Sequence, residues 1–320
     1  MNAMPHRPVI LGVVGDSAAG KTTITAGIAS ILGKDRVTVI CTDDYHRYNR
    51  QQRRELNITA LHPECNYIDI MEQHLRALSA GEPILKPVYN HSTGDFDPPE
   101  YIGPNDFIII EGLLGFATPT LRNAFDVKVY LDPPEQLRRQ WKIKRDTAKR
   151  GYSKEQVLVE MNKREHDSAE FIRPQRKWAD MVVQFYEPKE PSDSEHLNVQ
   201  LTLRSTLPHP DLNEVISQGS NEGGNPALRL RVGRDEGRLT EFLDIYGNVT
   251  AEQAHAIEDT IWAQLPELTH LRPEQIGTFV EGKENRQSHP LGLTQLLVAY
   301  HLLRGRLEKE KAQEQEQLVR

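Results

Sequence analysis

The run Gly15-Asp16-Ser17-Ala18-Ala19-Gly20-Lys21-Thr22 has the residue types and spacing needed to hold phosphate. It fits the pattern G-x-x-x-x-G-K-[ST] in full. Glycines let backbone N–H groups turn inward toward phosphate oxygens. Lys21 then suits the β- and γ-phosphates, and the Thr22 hydroxyl suits Mg²⁺. An ordinary glycine-rich turn is the alternative reading, but the flanks oppose it. The apolar stretch 8–14 reads as a buried strand, and 23–32 reads as a helix with Ile24, Ile28, Ile31 and Leu32 on one face. The helix N-terminus adds a dipole that favours anions. Residues Gly15 through Thr23 are therefore expected to bind a nucleoside triphosphate.

Three further groups carry chemistry. Cys41-Thr42-Asp43-Asp44-Tyr45-His46-Arg47-Tyr48-Asn49-Arg50 closes a second strand-like run. In open α/β sheets ligands sit at the carboxyl ends of strands. A carboxylate there can accept the proton of an attacking hydroxyl, and Arg47 and Arg50 can hold a phosphate on the acceptor. A polar loop with an Asp capping a helix is the alternative. Glu111 ends the run Phe107-Ile108-Ile109-Ile110, where an acid that helps hold Mg²⁺ commonly stands, or where a solvated Glu simply ends a strand. Residues 134–150 form a strongly basic helix. Arg138, Lys142, Arg145 and Lys149 recur on one face, which suits a lid over phosphates or a solvated surface. His91, in Tyr89-Asn90-His91, contacts substrate from a long loop or has no role.

These residues need a scaffold. Strand-like runs at 10–14, 37–41, 107–111, 127–131 and 181–186 alternate with helical patterns at 23–32, 68–80, 134–150 and 154–167. Such alternation predicts a mostly parallel sheet flanked by helices, an α/β fold of the P-loop NTPase type. Residues 86–104, rich in Pro, Gly, Asp and Asn, read as a long loop. The sequence divides into a kinase-like core (1–190), an α+β extension (191–307) and a charged, frayed tail (308–320). In the extension, 196–204 alternates, 218–225 reads as a polar loop, 227–232 and 239–246 as an antiparallel hairpin, and 251–264 and 293–307 as helices.

Composition narrows the class. The 320 residues are 27% charged and carry a formal net charge of −7, which disfavours nucleic acid as main partner. No apolar run approaches the ~18 residues of a membrane span. The two cysteines, Cys41 and Cys65, make neither a disulfide framework nor a metal cluster and suit a reducing, cytoplasmic compartment.

Taken in order, the motifs resemble the phosphoribulokinase/uridine kinase family of P-loop kinases. The likeness rests on Gly15–Thr22, Asp43-Asp44-Tyr45-His46 with Arg47 and Arg50, Tyr89-Asn90-His91, and Asp97-Pro98-Pro99-Glu100. Ile110-Glu111-Gly112-Leu113, Lys142-Ile143-Lys144-Arg145-Asp146 with Arg150-Gly151, and Ile172-Arg173-Pro174-Gln175 complete it. It covers residues 8–190, with a less diagnostic echo at 291–297. The resemblance implies ATP-dependent phosphorylation of the 1-hydroxyl of D-ribulose 5-phosphate. It implies Asp43 as general base, Lys21 on the phosphates, and Thr22 and Glu111 with Asp43 at Mg²⁺. His46, Arg47, Arg50, Tyr89, His91, Lys142, Arg145 and Arg150 fall on substrate-facing positions, and Arg145 and Asp146 on catalytic ones. A homodimer is also implied. Light-regulated relatives carry a cysteine inside the phosphate loop, where this chain has Ala19, so that redox switch is expected to be absent. Two rivals remain: a kinase of uridine or another sugar phosphate, and a nucleotide-binding switch, which would not need Asp43 or the arginines.

Overall fold

The computed structural model describes residues 7–188, 196–218, 226–281 and 284–318, without the side chains of 149, 150, 218, 281, 317 and 318. Two compact units emerge. One holds the described residues up to Lys21 with Arg36–Leu131 and Glu135–Ala179; the other holds Thr22–Asp35, Asp132–Pro134 and the described residues from Asp180 on.

The first unit begins with β1 (Val9–Gly15), buried along its whole length, which feeds the phosphate loop and then α1 (Lys21–Leu32). There follow β2 (Val37–Cys41), α2 (Arg50–Glu55), α3 (Ile68–Ser79), β3 (Ile84–Asn90), β4 (Asp95–Ile102), β5 (Phe107–Gly112), α4 (Pro119–Ala124), β6 (Val127–Leu131), α5 (Glu135–Arg150) and α6 (Lys154–Asp167). Its four core strands run parallel in the order β2-β5-β1-β6. Apolar side chains fill both faces of β1 and β5, as a parallel sheet covered by helices requires. Register decides what meets at the carboxyl edge. Glu111 pairs with both Val13 and Cys41, so the loops after β1, β2 and β5 leave the sheet side by side.

The segment expected as a long loop is instead the β3–β4 hairpin, so that expectation is corrected. Ile84 pairs with Ile102 and Asn90 with Asp95, and the register shifts between Lys86 and Val88. Pro87 sits at that irregularity, and Pro98 and Pro99 take no place in the paired register. Prolines are tolerated where no ladder N–H is needed. The turn closes through Gly94, at φ 78°, whose N–H donates to the Asn90 carbonyl at 2.7 Å.

The second unit carries most of α1, then β7 (Met181–Tyr186), β8 (Asn198–Arg204), α7 (Leu212–Gln218), β9 (Leu228–Asp235), β10 (Arg238–Ile245), α8 (Ala251–Ala263), β11 (Thr278–Glu281), β12 (Glu284–Gln287) and α9 (His289–Leu318). Strands β7-β8-β10-β9 are antiparallel in that order, as expected for the extension. Glu236 and Gly237, both at positive φ, make the two-residue β9–β10 turn. The expected connector and polar loop fall largely outside the described residues. Helix α9 packs on β8 and α8 and runs past its expected end at 307. Arg304–Glu308 at 3.2 Å and Arg306–Glu310 at 2.7 Å, both i,i+4 pairs, carry it on.

Candidate active site

The phosphate loop is wound by left-handed backbone at Ala18 (φ 67°) and Gly20 (φ 96°). Alternating hands of this kind point successive N–H groups into one concavity. Lys21 folds over it, its ammonium donating to the carbonyls of Gly15 at 2.8 Å and Asp16 at 3.0 Å. Burial lowers its pKa, an effect opposed by the carboxylates of Glu111, Asp43 and Asp16. The rim is tied down: Asp16 accepts from the Ser17 N–H at 2.7 Å and from the Ser168 hydroxyl. Ala19 is fully buried, and Thr22 and Thr23 stand exposed at the start of α1.

At the end of β2 the chain makes a tight turn, Thr42–Tyr45. Thr42 accepts from the Leu113 N–H at 3.1 Å, so the turn is fastened to the exit of β5 beside Glu111. Asp43 Oδ2 lies 3.4 Å from His91 Nε2. Burial pushes the Asp43 carboxyl up, but the charges of His46, His91, Lys21 and Arg164 outweigh it and hold the group below its ordinary value. Asp44 is engaged elsewhere, bonding the Lys86 ammonium at 2.6 Å and the Tyr89 N–H at 2.9 Å. His46 is buried, donates from Nδ1 to Asn66 at 2.8 Å and meets the Tyr89 ring edge-on. Desolvation keeps it neutral more readily than a free histidine. Arg47 lies over the Tyr67 ring, and Arg50 donates to the His91 carbonyl.

Helix α5 turns its basic face inward. Arg138 donates to the Ser17 carbonyl at 3.1 Å, and Lys142 reaches the Ser17 hydroxyl at 3.2 Å. Both side chains are buried, which excludes the solvated-face reading for these two positions. Asp146 sits between Lys142, at 3.2 Å, and Arg145, at 2.8 Å. Burial, with the neighbouring Arg145, lowers Lys142 to about 8 although Asp146 opposes the shift. Arg150 ends the helix, and its side chain lies outside the described residues.

This is a phosphate cradle with a carboxylate, two histidines and several cations gathered at one sheet edge. Residues 10–190 match the family model described as "Phosphoribulokinase / Uridine kinase family". The chain belongs to this family. It is 37% identical over 231 residues to the phosphoribulokinase of Synechocystis, covering 72% of this chain and 70% of that protein. It is 35% identical over 244 residues to a chloroplastic phosphoribulokinase of Triticum aestivum, covering 70% of this chain and 60% of that one. The alignments are longer than the family match, so the likeness continues beyond the shared kinase core. Among solved structures, the phosphoribulokinase from Rhodobacter spheroides superposes with a TM-score of 0.56 at 18% identity, over 83% of this chain and 98% of that one, which shows a common fold. Family membership makes this chain a phosphotransferase with a nucleotide-binding loop.

Within the family's core, the first unit gathers Lys21, Asp43, His46, Arg50, Tyr89, His91, Glu111, Lys142, Arg145 and Asp146 around the ends of β1, β2 and β5. Arg47 is exposed and turned onto Tyr67. Sequence reasoning missed three contributors, and gave no role to a fourth, Gln175, which it met only within the Ile172-Arg173-Pro174-Gln175 block. Arg53 donates to the Tyr89 hydroxyl at 2.6 Å, and Arg164 acts by its charge on both Asp43 and Lys142. Ser168 opens a π-helical turn and holds Asp16. Buried Gln175 bonds the Leu113 carbonyl at 2.7 Å and the Phe116 N–H at 2.8 Å, fixing the chain after Glu111. A single polar residue such as Ser168 carries no spacing signal; the Arg50-Gln51-Gln52-Arg53 run was the visible hint for Arg53.

Proposed function

We propose that the protein transfers the γ-phosphoryl group of ATP to the 1-hydroxyl of D-ribulose 5-phosphate, giving D-ribulose 1,5-bisphosphate and ADP. The observation that carries the reading is Asp43, held ionised beside His91 at the edge shared with the phosphate loop. Asp43 takes the proton of the acceptor hydroxyl as its oxygen bonds the γ-phosphorus, and the bond from that phosphorus to the ADP oxygen breaks. Lys21 neutralises charge on the β- and γ-phosphates. Lys142 and Arg145, oriented by Asp146, extend that cationic field along the transferring group. His46, Arg50, Tyr89 and His91 receive the sugar phosphate, Arg47 and Arg150 join them on the family likeness alone, and an anionic acceptor suits this set better than a neutral nucleoside.

The donor set suits Mg²⁺. The charges of Glu111, Asp43 and Asp16 all act at Lys21, so hard oxygen donors concentrate there. Among the described residues no three His, Cys, Asp or Glu side chains form a metal cage, and Mg²⁺ bound with phosphates needs only one or two carboxylates. Glu111 and Asp43, with the Thr22 hydroxyl, would hold it, and when bound it offsets charge on the phosphates.

The test is ATP-to-ADP turnover with D-ribulose 5-phosphate, uridine and other pentose phosphates as acceptors. Turnover confined to ribulose 5-phosphate, with the 1,5-bisphosphate as product, supports the reading. Turnover on uridine alone overturns it and leaves the family intact. We also propose a homodimeric assembly in the cytoplasm, following the family likeness and the two unpaired thiols. A monomeric mass by light scattering refutes the dimer. Among the described residues no helix is long and apolar enough to cross a membrane.

A further inference from the structure

Asp43 and Asp44 are chemically identical neighbours, yet the fold gives them opposite employment. Asp43 Oδ2 lies 3.4 Å from His91 Nε2. Asp44 spends both oxygens on the β3–β4 hairpin: Oδ2 on the Lys86 ammonium at 2.6 Å, and Oδ1 on the Tyr89 backbone N–H at 2.9 Å. Lys86 is only 4% exposed and also lies 3.7 Å from Glu100, its cross-strand partner. A buried ammonium requires a carboxylate partner, so Lys86 and Asp44 constrain each other.

Of the hairpin's strand residues only Ile84, Lys86 and Tyr89, all on β3, are buried. The hairpin is a separate two-stranded sheet, and two strands alone are marginally stable in water. Every residue of β4 from Asp95 to Tyr101 is exposed, so burial of its side chains adds little. Yet its tip carries His91 to Asp43, and Tyr89 to His46 and Arg53. Arg50 and Gly94 make a second attachment at that tip through the Arg50 N–H donating to the Gly94 carbonyl at 2.7 Å.

We propose that Asp44 is a positioning residue: through Lys86 and the Tyr89 N–H it fastens the hairpin to the β2 exit and so sets affinity for the phosphorylated acceptor, without serving ATP. The inference rests on the acceptor-site reading of Tyr89 and His91 above. It also explains why the acidic pair is doubled. One carboxylate is kept for the reacting hydroxyl while the other fixes the wall beside it.

The experiment compares Asp44→Asn, Lys86→Met and the double variant with the unaltered protein, measuring KM for ribulose 5-phosphate and for ATP separately. The expected result is an acceptor KM raised at least about tenfold in either single variant, with ATP KM moved less than about twofold, because a displaced positioning element costs binding geometry. The double variant should be no worse than Asp44→Asn, since both remove one tether. In a His91→Ala background, Asp44→Asn should add little. Equal rises in both KM values, or unchanged kinetics, overturn the proposal. Hydrogen exchange at the Tyr89 amide is the second readout. Faster exchange in Asp44→Asn and in Lys86→Met supports the tether, and unchanged exchange refutes it. If the unaltered protein does not turn over ribulose 5-phosphate, the acceptor reading falls, and the Tyr89 exchange then decides the tether on its own. Should Asp44→Asn fail to fold, Lys86→Met, which keeps an apolar chain of similar length, gives the same two readouts.

Discussion

The Lys142 ammonium stands 3.2 Å from the Ser17 hydroxyl, so a cation from α5 ends inside the phosphate loop, close to the reach of Lys21. Its environment sets a pH limit. Burial, then repulsion by Arg145, lowers its pKa to about 8, against partial compensation by Asp146. Lys142 is therefore charged below that value and neutral above it. We expect kcat/KM to fall as pH rises through about 8. Lys142→Arg should move that limb upward, because a guanidinium keeps its proton across this range. A pH–rate profile on both proteins checks this, and coincident alkaline limbs would remove Lys142 from the assignment.

Asp43→Asn should lower kcat by about 10²- to 10⁴-fold, the usual share of a positioned general base. ATP affinity should fall far less than kcat, since the phosphate loop with Lys21, and Glu111 and Thr22 at the proposed Mg²⁺ position, are unaltered. Steady-state turnover beside an ATP titration separates the two. Turnover at the normal rate would exclude Asp43 as base.

Gly27 tests the packing of the phosphate-loop helix. Gly to Ala in a helix ordinarily stabilises by about 1 kcal/mol. Here an added Cβ runs into the carboxamide of Gln295, which is fully buried on α9 and donates to the Thr23 carbonyl at 3.0 Å. Gly27→Ala should instead cost about 1–3 kcal/mol, as overpacking does. Gln295→Ala in the same chain should recover part of the loss. Denaturant unfolding of the unaltered protein and the two variants measures it; a more stable Gly27→Ala would contradict the close approach.

Both thiols should resist modification. Burial, with the nearby carboxylates of Asp43 and Glu111, pushes the Cys41 thiol well up, and burial raises Cys65 too. The thiolate is the reactive form, so each is inert near neutral pH. With Ala19 in the loop, oxidation should leave turnover unchanged, and iodoacetamide should label the folded protein slowly. A large loss on oxidation that thioredoxin reverses and that depends on Cys41 would be the contrary result.

Different parts of the molecule were unequally visible in the chain. The phosphate loop was legible because its signal is local: strand, glycines, lysine and helix follow one another within one stretch. The β9–β10 hairpin was legible through its flanking strand patterns, and Glu236-Gly237 supplies its turn. The β3–β4 hairpin was not. β4 is exposed from Asp95 to Tyr101 and contains Pro98 and Pro99, so it shows neither alternation nor strand composition. What makes it a strand is pairing with β3 and the grip of Asp44 on Lys86 and Tyr89. The basic face of α5 was legible as a face, but not its direction. Arg138 and Lys142 face the loop because Ser17 and Asp16 supply acceptors there.

The amino-acid order by itself determined the alternating α/β plan, the phosphate loop and the candidate acids and cations, since each depends on backbone preference and side-chain type over short spans. Only the tertiary structure decided which of two adjacent aspartates faces His91 and which holds the hairpin, and that Ser168 and Gln175 brace the site. Those choices depend on partners tens of residues away, and hydrogen bonding between distant groups is settled by how the strands register, which no local pattern encodes.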